Sequence, residues 1–172
     1  MPVPESTSPD PVRVVFVCWG NICRSPIAER VARRAAADAG ITGVEFTSAA
    51  TSTEELGNPM DRRAAKVLRE RGYDADEHRA HQIDAAEIGA ADLVISMENL
   101  HTTKMLVMAP DATNISLLTN YDPAAEPGSG VPDPWYGTPA GFYDTLATVE
   151  AAMPGVLDRV RELQRSPAGE SV

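Results

Sequence analysis

The chain has 172 residues, 43% of them hydrophobic and 23% charged, which suffices to enclose one core and falls short of two ordinary domains. A formal charge of −10 argues against nucleic acid or an anionic membrane as partner, so any anion this protein binds must be gripped by local groups. No apolar stretch approaches the roughly 20 residues that span a bilayer, the N-terminus lacks the basic and apolar regions of a signal peptide, and the two cysteines are too few for a disulfide scaffold or a structural zinc site; the expected compartment is the cytoplasm.

In chain order, residues 1–11 are rich in Pro, Ser and acidic side chains and read as a flexible tail. Residues 12–17 form the first buried strand. A turn then leads into a helix over about residues 26–39, with Ala28, Val31, Ala32 and Ala35 on one face and Gly40 beyond its end. Residues 44–48 give a second strand. A helix over 61–71 follows, turning Ala64, Ala65 and Leu68 inward before Gly72. The run DLVIS at 92–96 is a third buried strand, and a helix from Glu98 towards Met108 comes after it. Residues 114–118 supply a fourth strand. A Pro- and Gly-rich loop over about 119–139 then precedes an amphipathic helix over 140–164, and residues 166–172 resemble the first tail. Strands alternating with helices imply a single α/β domain, with a four-stranded parallel sheet flanked by helices on both faces.

In such sheets ligands bind beyond the C-terminal ends of the strands. The first such turn reads Cys18-Trp19-Gly20-Asn21-Ile22-Cys23-Arg24-Ser25, with a thiol at its start and a guanidinium at its end. Backbone N–H groups in a tight loop cradle phosphate oxygens, the following helix adds partial positive charge, and Arg24 offers a bidentate fork. The same field favours a thiolate at Cys18, the nucleophilic form. Gly20 permits conformations that a side chain would forbid, Asn21 can bridge the loop, and Ser25 can donate to the Cys18 sulfur. A lone cysteine at a strand end is ordinarily a small core hydrophobe; Gly20, Asn21, Arg24, Ser25 and Pro26 in register make that reading improbable here. For Cys23, core packing and protection of Cys18 through a reversible disulfide stand equal.

VCWGNICRSP resembles the signature of the low-molecular-weight protein tyrosine phosphatases, and the resemblance runs from Val14 to about Leu163 through SAATS at 48–52, DRRA at 61–64, HRAHQI at 78–83 and ADLVISMENL at 91–100. It implies a Rossmann-like phosphatase fold over residues 12–165 and hydrolysis of phosphotyrosine through a phosphocysteine on Cys18, with Arg24 as phosphate clamp and no cofactor or metal. The partners implied are tyrosine-phosphorylated proteins, with inorganic phosphate as product. Departure of a phenolate is eased by a proton, and in this family an Asp-Pro followed by two aromatics supplies it; Asp133-Pro134-Trp135-Tyr136 matches, making Asp133 the general acid and Trp135 and Tyr136 walls for a planar aryl group. Trp19, Gly20, Asn21, Ile22, Cys23 and Ser25 complete the substrate loop. His78 resembles a family histidine that buttresses the loop through Asn21, and Ser48 is given the same role.

Two positions depart from the family. Trp19 stands where a smaller residue is usual, and the acidic segment Thr53-Glu54-Glu55-Leu56 lacks the rim aromatic. Members acting on phosphoarginine carry Thr beside the second cysteine, whereas Ile22 resembles the tyrosine-directed ones. Elsewhere Asp61 and Arg63 read as a structural ion pair, Glu98 as a helix start, and His81 and His101 as solvated. Competing readings are arsenate reduction, which needs a downstream cysteine pair absent here, and a silent phosphate-binding module, which needs neither thiol nor acid. Ala, Arg and Asp richness suggests a bacterial source.

Overall fold

The structure is a computed structural model that describes residues 10–165; apart from residues 10 and 11, the expected tails lie outside the described residues. Strand β1 is Val12–Cys18, and its alternating side chains serve two cores at once. Val14, Phe16 and Cys18 join one apolar cluster, while Val15 and Val17 join another. This is why the strand is an unbroken hydrophobic run: both of its faces are covered. Helix α1 (Arg24–Asp38) follows, then β2 (Val44–Ala50), α2 (Arg62–Glu70), α3 (Ala85–Ala90), β3 (Leu93–Ser96), α4 (Asn99–Met108), β4 (Ile115–Leu117) and the long α5 (Gly141–Arg165). Short 3₁₀ turns at Leu118–Tyr121 and Pro134–Tyr136 interrupt the loop between β4 and α5.

All strand pairs are parallel, in the order β2-β1-β3-β4. Side chains of α1, α2 and α5 pack with Phe16 and Phe46 on one face. Ile88 of α3 and Met105 of α4 pack with Val94 on the other. Phe16 is fully buried, stacked on Phe46 with ring centroids 6.1 Å apart, and truncating such a side chain to Ala costs about 3–5 kcal/mol.

Topology places the site. From β1 the chain steps to β2 on one side and then crosses over to β3 on the other, so the strand order reverses at β1. The crevice beyond the C-terminal ends of β1 and β3 is the switch point where open α/β sheets bind ligands. Cys18 ends β1, and Met97 and Glu98 follow β3 at the same edge.

Helix α1 begins two residues before the expected start. Pro26 is its third residue, and since the first turn's N–H groups have no intrahelical partner, a proline there costs no bond. The sequence reading assigns no element to residues 85–90, where the structure has α3. Its single turn and a half is nucleated by the Asp84 side chain, which accepts from the Glu87 N–H at 2.8 Å.

Candidate active site

From Cys18 to Ser25 the chain turns tightly at the end of β1 and enters α1, and the side chains of Asn21 and Ser25 inside that turn have fixed partners. Asn21 is fully buried with φ at 60°, in the left-handed region; the sequence reading gave the unusual conformation to Gly20, and it belongs to Asn21, which tolerates it. The Asn21 amide donates to Ser25 Oγ at 2.8 Å and accepts from the His81 N–H at 3.2 Å. Its carbonyl bonds His78 Nε2 at 2.6 Å. A carbonyl only accepts, so Nε2 carries the His78 proton, and burial lowers the pKa of that ring. Gly20 makes room for a different reason: a Cβ there would lie 3.2 Å from Glu55 Cγ, and that side chain would have to shift.

Ser25 already accepts from Asn21, so its one proton is free for the Cys18 sulfur at 3.0 Å rather than the Ala49 carbonyl at 3.4 Å. The Ser25 N–H also points at that sulfur, at 3.4 Å. Two donors on one sulfur suit an atom that carries negative charge. Cys23, the residue preceding α1, offers no capping side chain. Its thiol is buried among apolar groups, and burial, with Asp61 next, pushes its pKa far up, so it stays protonated.

Arg24 is 2% exposed and faces the crevice. Nη1 bonds the Val131 carbonyl at 2.9 Å and the Glu98 carboxylate, while Nη2 lies 3.5 Å from Asp133 Oδ2. Glu98 therefore does more than begin a helix. It caps α4 in a reciprocal box with His101, whose Nδ1 accepts the Glu98 N–H at 3.1 Å, and it orients the guanidinium. The expectation of a solvated His101 is overturned, because the ring is wholly buried. Burial, followed by the charges of Arg24 and Lys104, lowers its pKa to about 3. With the proton on Nε2, that atom has no partner.

Ser48 also differs from expectation. Its hydroxyl donates to Glu29 Oε1 on α1 at 3.1 Å, and Glu29 in turn pairs with buried Arg30 at 2.7 Å, so Ser48 secures α1 rather than the loop. Asp61 caps α2 by accepting the Arg63 N–H at 2.8 Å and pairs with its guanidinium at 3.1 Å. Arg63 then lies 4.9 Å from the Trp135 ring centroid and 4.6 Å from that of Phe142. His81 is half-exposed and bonds Glu87 at 3.0 Å.

The segment carrying Asp133 is tied down just before it. The Val131 N–H bonds the Met97 carbonyl at 2.8 Å, and Gly130 must be glycine because a Cβ would come within 2.8 Å of Glu98 Cγ. Asp133 then caps the 3₁₀ turn through the Trp135 N–H at 3.0 Å. Cys18, Trp19, Gly20, Ile22, Cys23, Arg24, Asp133, Trp135 and Tyr136 all line one cavity of about 160 Å³, with Glu54 and Glu55 at its edge. Its floor offers sulfur and guanidinium, its mouth aromatic rings and a carboxylate. That sequence of groups fits an anion joined to a flat apolar body. Glu98 and Lys104 were not singled out for the site from sequence, and Glu54 only as part of the acidic segment 53–56; the capping position of Glu98 is legible, but its reach to Arg24, 74 residues away, is not.

Residues 13–166 match the family model described as low molecular weight phosphotyrosine protein phosphatase. The low molecular weight protein-tyrosine-phosphatase of Streptomyces coelicolor is 44% identical over 155 residues, covering 87% of this chain and 94% of the relative. The human low molecular weight phosphotyrosine protein phosphatase is 37% identical, covering 75% and 83%. Among solved structures, a protein tyrosine phosphatase from Entamoeba histolytica superposes with a TM-score of 0.83 at 28% identity, covering 89% of this chain and 99% of that one.

Proposed function

From the premise that the chain belongs to the low molecular weight phosphotyrosine protein phosphatase family, we propose that it hydrolyses phosphotyrosine in proteins through a phosphocysteine on Cys18, with Arg24 as phosphate clamp and Asp133 as general acid. The observation that carries this reading is the convergence of Cys18, Arg24 and Asp133 on one cavity. In the first step the Cys18 sulfur attacks phosphorus. The S–P bond forms as the P–O bond to the phenol breaks, and the Asp133 proton goes to the departing oxygen. The phosphoryl oxygens sit among the loop N–H groups and the N-terminus of α1, and Arg24 spreads their charge through its fork. A bound dianion takes over the guanidinium, which frees Asp133 to face the ester oxygen.

In the second step the Asp133 carboxylate takes a proton from water, the water oxygen bonds phosphorus, and the S–P bond breaks to release inorganic phosphate. Ser25, donating to sulfur at 3.0 Å, stabilises the thiolate that leaves. Asn21 and His78 hold the loop in the shape this requires. Trp135, steadied by Arg63, and Tyr136 flank the aryl ring. No described helix is long and apolar enough to cross a membrane, and a cytoplasmic site of action accompanies this proposal.

The test is hydrolysis of p-nitrophenyl phosphate in the presence of a chelator. Wild type is expected to turn over, Cys18→Ser to be inactive, and Asp133→Ala to be slowed by roughly 10²- to 10⁴-fold. Acid-quenched enzyme is expected to carry one phosphoryl group on the peptide containing Cys18 by mass spectrometry. An active Cys18→Ser variant, or a phosphoryl group on another residue, would sink the mechanism.

A further inference from the structure

Trp19 is the pocket residue whose placement the loop itself does not dictate. Its backbone does belong to the loop, and Ser52 fixes it from across the crevice, donating to the Trp19 carbonyl through its N–H at 3.0 Å and its hydroxyl at 2.8 Å. Its indole is half-buried and lines the cavity, and two charged groups from separate elements hold it. Glu54 Oε2, two residues beyond Ser52, accepts the indole N–H at 3.0 Å. Lys104 Nζ, on α4, stands 4.7 Å from the ring centroid.

Lys104 is half-buried, and among the described residues no carboxylate lies within the 4.0 Å ion-pair distance of its ammonium. A cation that has lost part of its hydration and gained no carboxylate is left with the indole face as its electrostatic partner. Lys104 is not among the residues that line the cavity, so the indole reaches the cavity while the Lys104 ammonium stays outside it. Glu54 likewise makes no ion pair among the described residues, and its carboxylate is engaged by the indole alone.

We propose that Glu54 and Lys104 are positioning residues that lock the Trp19 indole as the rigid aryl-binding wall of the pocket, and that this wall makes the site discriminate aryl from alkyl phosphate esters. The inference rests on the phosphatase reading of the same site. A wall ordered before the ligand arrives loses no rotamer freedom on binding, so its full stacking gain reaches an aryl ester. An alkyl phosphate has no ring to lay on it. The clamp touches neither the sulfur nor the acid, so its loss acts on binding: KM rises while kcat holds.

Two readouts test this, one of them independent of turnover. The chain has two tryptophans, so in a Trp135→Phe background fluorescence reports Trp19 alone. Acrylamide quenching of Trp19 is expected to rise clearly in Glu54→Leu and in Lys104→Met, and to stay near the parent in Glu54→Gln, whose amide oxygen still accepts the indole N–H. With Trp135 restored, kcat and KM are measured on a phosphotyrosine peptide and on its phosphoserine counterpart. Glu54→Leu and Lys104→Met are each expected to raise KM for the phosphotyrosine peptide by roughly 3- to 10-fold, with kcat within about twofold and the phosphoserine peptide little changed. Glu54→Gln is expected to restore the wild-type ratio. Unchanged quenching in both apolar variants overturns the clamp, and so does Glu54→Gln behaving as Glu54→Leu. Raised quenching with an unchanged KM ratio overturns the role in selectivity. A wild type inert on p-nitrophenyl phosphate removes the phosphatase reading and the selectivity with it, while the quenching series still decides the clamp.

Discussion

The two sides of the crevice are built to opposite standards. On the phosphate side, from Cys18 to Ser25, Asn21, Arg24 and Ser25 are almost fully buried, and the side chains of Asn21 and Ser25 and the Asn21 carbonyl all have partners. On the acid side, Trp135 is 46% exposed and Tyr136 is 87% exposed, and Asp133 is held by one short backbone bond and a distant guanidinium. Where charge must be met at fixed positions the chain invests buried hydrogen bonds, because a misplaced donor is useless to an oxyanion. Where a ring of variable surroundings must be admitted, it presents aromatic surface on a short turn. Substitutions on the first side should therefore injure folding and chemistry together, and on the second side only function.

The strongest test of that contrast is Arg24→Lys. An ammonium keeps the charge but loses the fork and the fixed bond to Val131, and kcat/KM for p-nitrophenyl phosphate is expected to fall by about 10²- to 10³-fold. A loss below tenfold would mean that charge alone suffices and that the geometry of the clamp is incidental. Asn21→Ala comes next. It leaves the Ser25 hydroxyl, the His81 N–H and a left-handed residue without support, and urea unfolding is expected to show a loss of about 1–3 kcal/mol, with activity falling in parallel. By contrast, Asp133→Ala is expected to change stability by no more than about 0.5 kcal/mol, whatever it does to rate.

His101 sharpens the comparison by asking how far the stiff side extends. Its folded pKa is depressed to about 3 by burial and by nearby positive charge, whereas the unfolded chain takes up a proton near 6.5. The unfolded state thus binds more protons below pH 6.5, and the stability that a neutral His101 permits is lost as pH falls from there towards 3. Thermal midpoints of His101→Asn, whose side-chain oxygen can still accept the Glu98 N–H, are expected to fall less steeply than wild type over that window. Equal slopes would remove His101 from the support of Arg24. The smallest effect is expected at Tyr136→Ala, where KM for a phosphotyrosine peptide should rise about 2- to 5-fold with thermal stability unchanged.

Sequence patterning revealed what depends on neighbours close along the chain. The doubly apolar run of β1, the helical period of α5 and the turn Cys18 to Ser25 are all local signals, and they carry the sheet, its handed crossovers and the floor of the site. What stayed hidden involves partners far apart. Glu98 reads as a helix cap until the crossover from β2 to β3 brings it beside Arg24. His101 reads as solvent-facing because its helix has little apolar contrast between its faces, and only packing shows it to be inside. The redirection of Ser48 to Glu29 depends on a buried charge that the α1 pattern conceals among arginines. The 85–90 helix was missed although Asp84 and Glu87 stand three apart, since its six residues with a glycine near the end are too short for periodicity to register.

Val131 joins the two sides. Fully buried, it gives its N–H to the Met97 carbonyl and takes a bond from Arg24 on its own carbonyl. A segment pinned through the N–H and carbonyl of Val131, two residues before Asp133, resists swinging as a hinged lid, because lifting it would break the bond to Arg24. On the proposed mechanism the backbone that carries Asp133 is thus in place before substrate arrives, and only its carboxylate changes partner, from Arg24 to the ester oxygen. Turnover should then follow the chemical steps, with kcat indifferent to solvent viscosity and responsive to the acidity of the leaving phenol.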